Sequence, residues 1–255
     1  MRLSPFGLAD SVLAPPPDPN RVERLGLLPF AHRGLHGAGR VENSRGAFEA
    51  AIAAGHGIEL DVQASREGEA IVFHDYDLER LTGRAGPLAD HSAGELRALR
   101  LIGADAIPTL PEVLRQIGSR VPLLIEVKSP DRHVARLCLA VYRALEGYRG
   151  PVGVMSFNPE VGGWFRRNAP FLARGLVVTE SGKRGVRGRL ERHLALWRAR
   201  PDFLAYDIRD LPSRFCAAQR RRGIPVYSWT VRTESERARA AAHADQIIYE
   251  APAAR

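Results

Sequence analysis

A chain of 255 residues with 45% hydrophobic and 26% charged residues is too polar for a bundle of membrane spans and too apolar for a disordered polymer. Its 37 Lys and Arg against 29 Asp and Glu leave a net charge of +8, which favours anionic partners such as phosphates. Only Lys128 and Lys183 are lysine, and the arginines are scattered along the chain, so a nucleic-acid groove is not expected.

Met1 to Ala14 is interrupted by Pro5, Gly7 and Asp10, too early for the apolar run of an export signal, and no later window is long enough for a membrane span. Pro15, Pro16, Pro17 and Pro19 predict a stiff lead-in over residues 1–28, ahead of one folded domain over 29–255. The two cysteines, Cys138 and Cys216, form no Cys-x-x-Cys pair; Cys138 falls on the helical stripe Val134, Leu137, Val141, Leu145. Reduced thiols and the missing signal point to a cytoplasmic protein without stable membrane association. The oligomeric state is not written in these residues.

From Pro29 onward, short apolar runs alternate with helix-period stretches. Eight strands are predicted: Pro29 to His32, Gly57 to Val62, Pro122 to Val127, Val152 to Met155, Arg174 to Val178, Phe203 to Tyr206, Pro225 to Val231 and Gln246 to Tyr249. Helices fall between them at Arg45 to Ala54, Leu110 to Ile117, His133 to Leu145, Pro159 to Asn168, Arg189 to Arg200, Ser213 to Arg222 and Glu234 to Ala242. This alternation predicts an α/β fold, a closed (β/α)8 TIM barrel, rather than an open doubly wound sheet. Ala70 to Phe73 is an extra strand, and Tyr76 to Pro108 reads as an insertion after strand two, with a helix at Ala93 to Arg100, forming a small cap beside the barrel mouth.

The chemistry gathers at strand ends. In Ile58-Glu59-Leu60-Asp61-Val62 the side chains alternate, so the aliphatic set faces the helices and Glu59 and Asp61 point inward near the C-terminal end of the strand. Leu124 to Lys128 repeats the pattern and adds an inward Glu126 beside Lys128. Like charges so placed repel unless a cation or a proton lies between them, and three converging carboxylates suit one Mg²⁺ or Ca²⁺ ion. The plainer alternative is an ion pair of Glu126 with Lys128 or an arginine, and no metal.

His32 ends strand one and His74 follows Val72-Phe73; both are candidate proton carriers. Arg33 and Gly34 beside His32 offer a cation and close backbone approach for a phosphate. Asp75 either orients His74 or caps a turn. His32-x-x-x-His36 lies on a strand end and a loop, so a zinc pair is not expected there. Trp229 is assigned by alternation to the face of Tyr227 and Val231.

Ala31-His32-Arg33-Gly34, Glu42-Asn43-Ser44, Glu59-Leu60-Asp61, His74-Asp75, Leu81-Thr82-Gly83, Pro108-Thr109-Leu110, Ile125-Glu126-Val127-Lys128, Ser156-Phe157 and Trp229-Thr230-Val231 together resemble the glycerophosphodiester phosphodiesterase family over residues 29 to 252. The resemblance implies a TIM barrel holding a divalent cation on Glu59, Asp61 and Glu126, with Glu42 supporting that site. It also implies His32 and His74 as the acid/base pair, Arg33 and Lys128 on the phosphate, and Trp229 lining the alcohol pocket, for which core packing is the alternative. The implied reaction releases sn-glycerol 3-phosphate and an alcohol from a small-molecule diester, through attack by the neighbouring glycerol hydroxyl and a cyclic phosphate. A phospholipase D-like enzyme on lipids and a non-catalytic phosphate or nucleic-acid binder are the competing readings. The sequence departs from the family pattern at Val41, Ser44 and the run Tyr249-Glu250-Ala251-Pro252, where the pattern usually reads Thr-Asp-x-Pro.

Overall fold

The structure, a computed structural model, describes residues 6–251 other than Ala38 and Ala104. Eight parallel strands close into a barrel: β1 (Phe30–Ala31), β2 (Gly57–Ala64), β4 (Leu123–Val127), β5 (Val152–Ser156), β6 (Ala173–Val178), β7 (Phe203–Asp207), β8 (Val226–Val231) and β9 (Gln246–Tyr249). Closure comes from β1, which pairs with β9 on one side and β2 on the other. A short β3 (Ala70–Val72) runs antiparallel to the end of β2, as the extra strand expected there. The return helices are α3 (Arg45–Ala53), α6 (Leu110–Ile117), α7 (Ala135–Ala144), α8 (Pro159–Asn168), α9 (Val186–Ala199), α10 (Arg214–Arg221) and α11 (Glu234–His243). No helix among the described residues is long and apolar enough to cross a membrane.

Strand alternation sorts the side chains into two layers. Ile58, Leu60, Val62, Leu123, Ile125 and Val127 pack outward with the helix faces, whereas Phe30, Leu124, Met155, Phe203, Tyr227 and Ile248 fill the barrel. The floor is packed large against small. A Cβ at Gly175 would lie 2.4 Å from the Phe203 ring, so the glycine provides the space that the phenyl group occupies. Among the described residues the even alternation is interrupted in β8: the β8–β9 register shifts between Ser228 and Val231, and Val231 joins the outer layer. Trp229 therefore shares the inner face with Tyr227 but not with Val231, because an irregularity in one strand resets parity beyond it.

The insertion forms a small unit of its own. Helices α4 (Glu79–Thr82) and α5 (Ala93–Ala98) enclose Phe73, Leu78, Leu81, Leu88 and Leu96 in a separate apolar cluster. α5 starts at a capping box between Ser92 and Glu95 and stops before the expected Arg100, which leaves the helix to bridge Ala106.

The segment expected as a stiff lead-in is folded against the barrel. It carries α1 (Gly7–Leu13) and the single turn α2 (Pro19–Val22), and Leu25 reaches into the barrel floor beside Gly153. The attachment depends on Asp10, which is 2% exposed. Its Oδ1 accepts hydrogen bonds from His193 Nδ1 and Trp197 Nε1, and its Oδ2 from Gln219 Nε2, each at 2.8 Å. Proline content alone could not reveal this, because the partners lie about 180 to 210 residues away in sequence. Burial favours the neutral acid, but the three hydrogen bonds outweigh it and hold Asp10 below its ordinary value of 3.8. Asp10→Ala removes the acceptor of the buried Gln219 amide and of the part-buried His193 and Trp197 donors, and a loss of about 2–4 kcal/mol in urea unfolding is expected at pH 7. A depressed carboxyl contributes stability above its unfolded pKa and loses it as pH falls through the folded one. The difference between wild type and variant therefore shrinks below about pH 4, measured as parallel denaturation curves from pH 7 downward.

Candidate active site

The site stands at the C-terminal ends of the strands. After β1 the chain turns through two left-handed residues, Arg33 (φ 56°) and Gly34 (φ 79°). Gly34 is required there, since a Cβ would meet the backbone of Ala47 at 2.9 Å. The turn aims the Arg33 N–H at Glu59 Oε2, 3.0 Å away, and brings its guanidinium Nε to 3.3 Å from Asp61 Oδ2. Asn43, also left-handed, donates to Asp61 Oδ2 at 2.9 Å and accepts from the Asp61 N–H at 3.3 Å.

Parity brings Glu59, Asp61 and Glu126 together as the alternation of β2 and β4 requires: Asp61 is in register with Glu126, and one oxygen from each acid lies within 4.8 Å of the others. Lys128 Nζ sits 3.0 Å from Glu126 Oε1 and 3.3 Å from Asp61 Oδ1, so the ion pair considered as an alternative coexists with the carboxylate cluster. Burial raises the Glu59 carboxyl well above its ordinary 4.5, and the charges of Asp61 and Glu126 add to that. Burial also raises Glu126, with Asp61 reinforcing and Lys128 opposing. At Asp61 the same burial is outweighed by Lys128 and Arg33, which hold it below 3.8. Glu59 Oε1 is shielded from solvent and has no hydrogen-bond partner among the described residues. An all-carboxylate cluster with one such oxygen has the donor chemistry of a hard divalent cation.

Each histidine is held by a carboxylate that is itself held by an arginine. His32 Nδ1 lies 2.7 Å from Glu250 Oε1, and Arg232 contacts Glu250 through Nε and a terminal nitrogen at 2.6 and 2.9 Å. His74 Nδ1 lies 2.7 Å from Asp75 Oδ1, and Asp75 pairs with Arg80 Nε. Burial disfavours both carboxylates, but their hydrogen bonds, from His32 and Arg232 to Glu250 and from Arg80 and His74 to Asp75, bring each to about 2. Both carboxylates are thus acceptors, which places the Nδ1 proton on each ring and leaves Nε2 with its lone pair. Burial lowers the pKa of both imidazoles. His32 Nε2 faces the acids, 3.9 Å from Glu59 Oε2.

Glu42 stands behind the carboxylate cluster. It bonds Arg33 at 2.8 Å and Arg80 at 2.7 Å, so it reaches the carboxylates only through Arg33. Trp229 donates its indole N–H to Ala205 O at 2.8 Å and stands edge-on to Phe157. Both rings line a cavity of about 370 Å³ that also contains His32, Arg33, Glu59, His74, Glu126 and Lys128. Sequence reasoning missed Glu250, Arg232 and Arg80. Inward parity on β9 (Gln246, Ile248, then Glu250) was a signal for the first; nothing local marks the two arginines among so many.

Known proteins are similar to this chain in sequence pattern and fold. The model of the glycerophosphoryl diester phosphodiesterase family matches residues 32–254. Glycerophosphodiester phosphodiesterases of Caldanaerobacter subterraneus subsp. tengcongensis and Bacillus altitudinis are 32% identical over 161 residues and 38% identical over 107 residues. Those stretches cover 59% and 39% of this chain and span only 66% and 43% of the relatives. Among solved structures, the glycerophosphodiester phosphodiesterase of Thermotoga maritima superposes with a TM-score of 0.69 at 26% identity, covering 86% of this chain and 92% of that one. A phosphodiesterase of Oleispira antarctica, solved in complex with the product sn-glycerol-3-phosphate, gives 0.76 at 24% identity over 87% and 93% of the two chains, a likeness of fold. With its barrel and the family pattern running over residues 32–254, the chain belongs to the glycerophosphoryl diester phosphodiesterase family.

Proposed function

We propose that this chain hydrolyses glycerophosphodiesters to sn-glycerol 3-phosphate and an alcohol, with Glu59, Asp61 and Glu126 holding one Mg²⁺ or Ca²⁺ ion and His32 and His74 carrying protons. Family membership supports the reaction class, and the product named in the Oleispira antarctica structure supports the glycerol phosphate half. The observation that carries the residue assignment is that two carboxylate-held imidazoles line one cavity with Glu59 and Glu126 of a carboxylate cluster that has an oxygen without a hydrogen-bond partner among the described residues.

A divalent ion bound there supplies positive charge to the phosphoryl oxygens and lowers the cost of charge building on them. Arg33 and Lys128 line the cavity and extend that positive field to the remaining oxygens. With Nδ1 committed to Glu250 or Asp75, each imidazole acts through Nε2: one takes the proton of the attacking oxygen and the other, protonated, delivers one to the departing alcohol. Trp229 and Phe157 bound the side of the cavity where the alcohol lies.

Two outcomes are expected. First, a coupled assay for glycerol 3-phosphate across several glycerophosphodiesters gives release that chelator abolishes and Mg²⁺ or Ca²⁺ restores; His32→Ala and His74→Ala each lower turnover by about 10²–10⁴ with unchanged circular dichroism. Near-normal turnover in both variants rules the assignment out. Second, Glu59→Gln replaces a crowded buried carboxyl by a neutral amide, so in chelator it melts no lower than wild type. It also loses the rise in melting temperature that Mg²⁺ or Ca²⁺ produces in wild type.

A further inference from the structure

We propose that His32, His36 and Glu250 form a second metal site, selective for a borderline divalent ion such as Zn²⁺, whose occupation switches the enzyme off. The loop position of His36 argued against a histidine pair in the sequence, but the left-handed turn at Arg33 and Gly34 folds the loop back. One donor atom from each of His32, His36 and Glu250 lies within 4.8 Å of the other two. His36 Nε2 is shielded from solvent and has no hydrogen-bond partner among the described residues, so one of the three ligand residues carries an uncompensated polar atom.

Donor chemistry separates this cluster from the first. Three carboxylates suit a hard ion, whereas two imidazoles and one carboxylate suit zinc, with water in the fourth position. Arg232 grips Glu250 at 2.6 and 2.9 Å and would remain as an outer contact, orienting the carboxylate while lessening its charge.

His32 stands between the two clusters, with Nδ1 towards Glu250 and Nε2 towards Glu59. When zinc takes the Nδ1 lone pair, the single proton of the neutral ring sits on Nε2. That nitrogen then cannot accept a proton, and turnover stops. The inhibitory consequence rests on the catalytic reading of His32; the binding itself does not.

The test titrates Zn²⁺ into enzyme saturated with Mg²⁺ or Ca²⁺, measuring bound zinc by equilibrium dialysis and turnover in the same samples, with the visible absorption of Co²⁺ as a report of imidazole ligation. His36→Asn, and His36→Gln as a second variant, should keep wild-type turnover without zinc. They should bind zinc, and be inhibited by it, at least about tenfold more weakly than wild type. Zinc affinity unchanged in both folded variants overturns the site. Tight, His36-dependent binding that leaves wild-type turnover intact upholds the site and overturns the role given to His32.

Discussion

Three buried carboxylates converging at one end of the barrel are the constraint around which the upper half of this molecule is organised. Taking one carboxylate out of water costs several kcal/mol, and placing two more within reach compounds it. Arg33 and Lys128 provide two positive charges for the three acids, and Glu59, with an oxygen that has no hydrogen-bond partner among the described residues, is left as the group that protonation or a bound cation would satisfy. A barrel that sought only stability would fill those inward positions with aliphatic side chains, as it does at the floor with Leu124, Phe203 and Ile248. The polar layer is tolerated because the packed floor and the outer helix contacts hold the strand ends in place beneath it.

From that cluster, charge order spreads outward along two arms. Glu59 and His32 lead to Glu250 and Arg232 at the end of β9 and the start of the α11 loop. Asp61 leads through Arg33 to Glu42, then Arg80, Asp75 and His74. The second arm passes through the insertion, which is therefore part of how the site is held and not a mere cover. Arg80 is about half exposed, so its ion pairs contribute little to global stability, and their value lies in fixing the orientation of Asp75 and Glu42. The insertion's separate apolar cluster gives α4 the rigidity that this positioning needs.

At the opposite end, the N-terminal segment closes what the strands leave open. Leu25 enters the floor, while α1 anchors to α9 and α10 through Asp10. The two ends of the barrel thus use buried acids in contrasting ways. Asp10 is hydrogen-bonded on both carboxylate oxygens and held below its ordinary pKa, whereas Glu59 keeps one oxygen without a hydrogen-bond partner among the described residues and is raised.

The strand count, the inward parity of Glu59, Asp61 and Glu126, and the insertion were legible in the sequence because they follow from period-two alternation, a local property of each strand. The family motifs likewise placed His32, His74, Arg33 and Lys128 around one cavity. What alternation could not foresee was its own interruption at Ser228 to Val231, since a register shift depends on the neighbouring strand. Nor could it foresee the partners that complete each site residue: Glu250 and Arg232 for His32, Arg80 for Asp75, His193, Trp197 and Gln219 for Asp10. These contacts join positions up to 218 residues apart, and only closure of the barrel brings them within hydrogen-bond range. Within each regular strand the sequence by itself determined which residues face the barrel interior; the tertiary structure decided where that regularity breaks and which residues touch, because closing a ring of eight strands sets registers and distances that no single strand encodes.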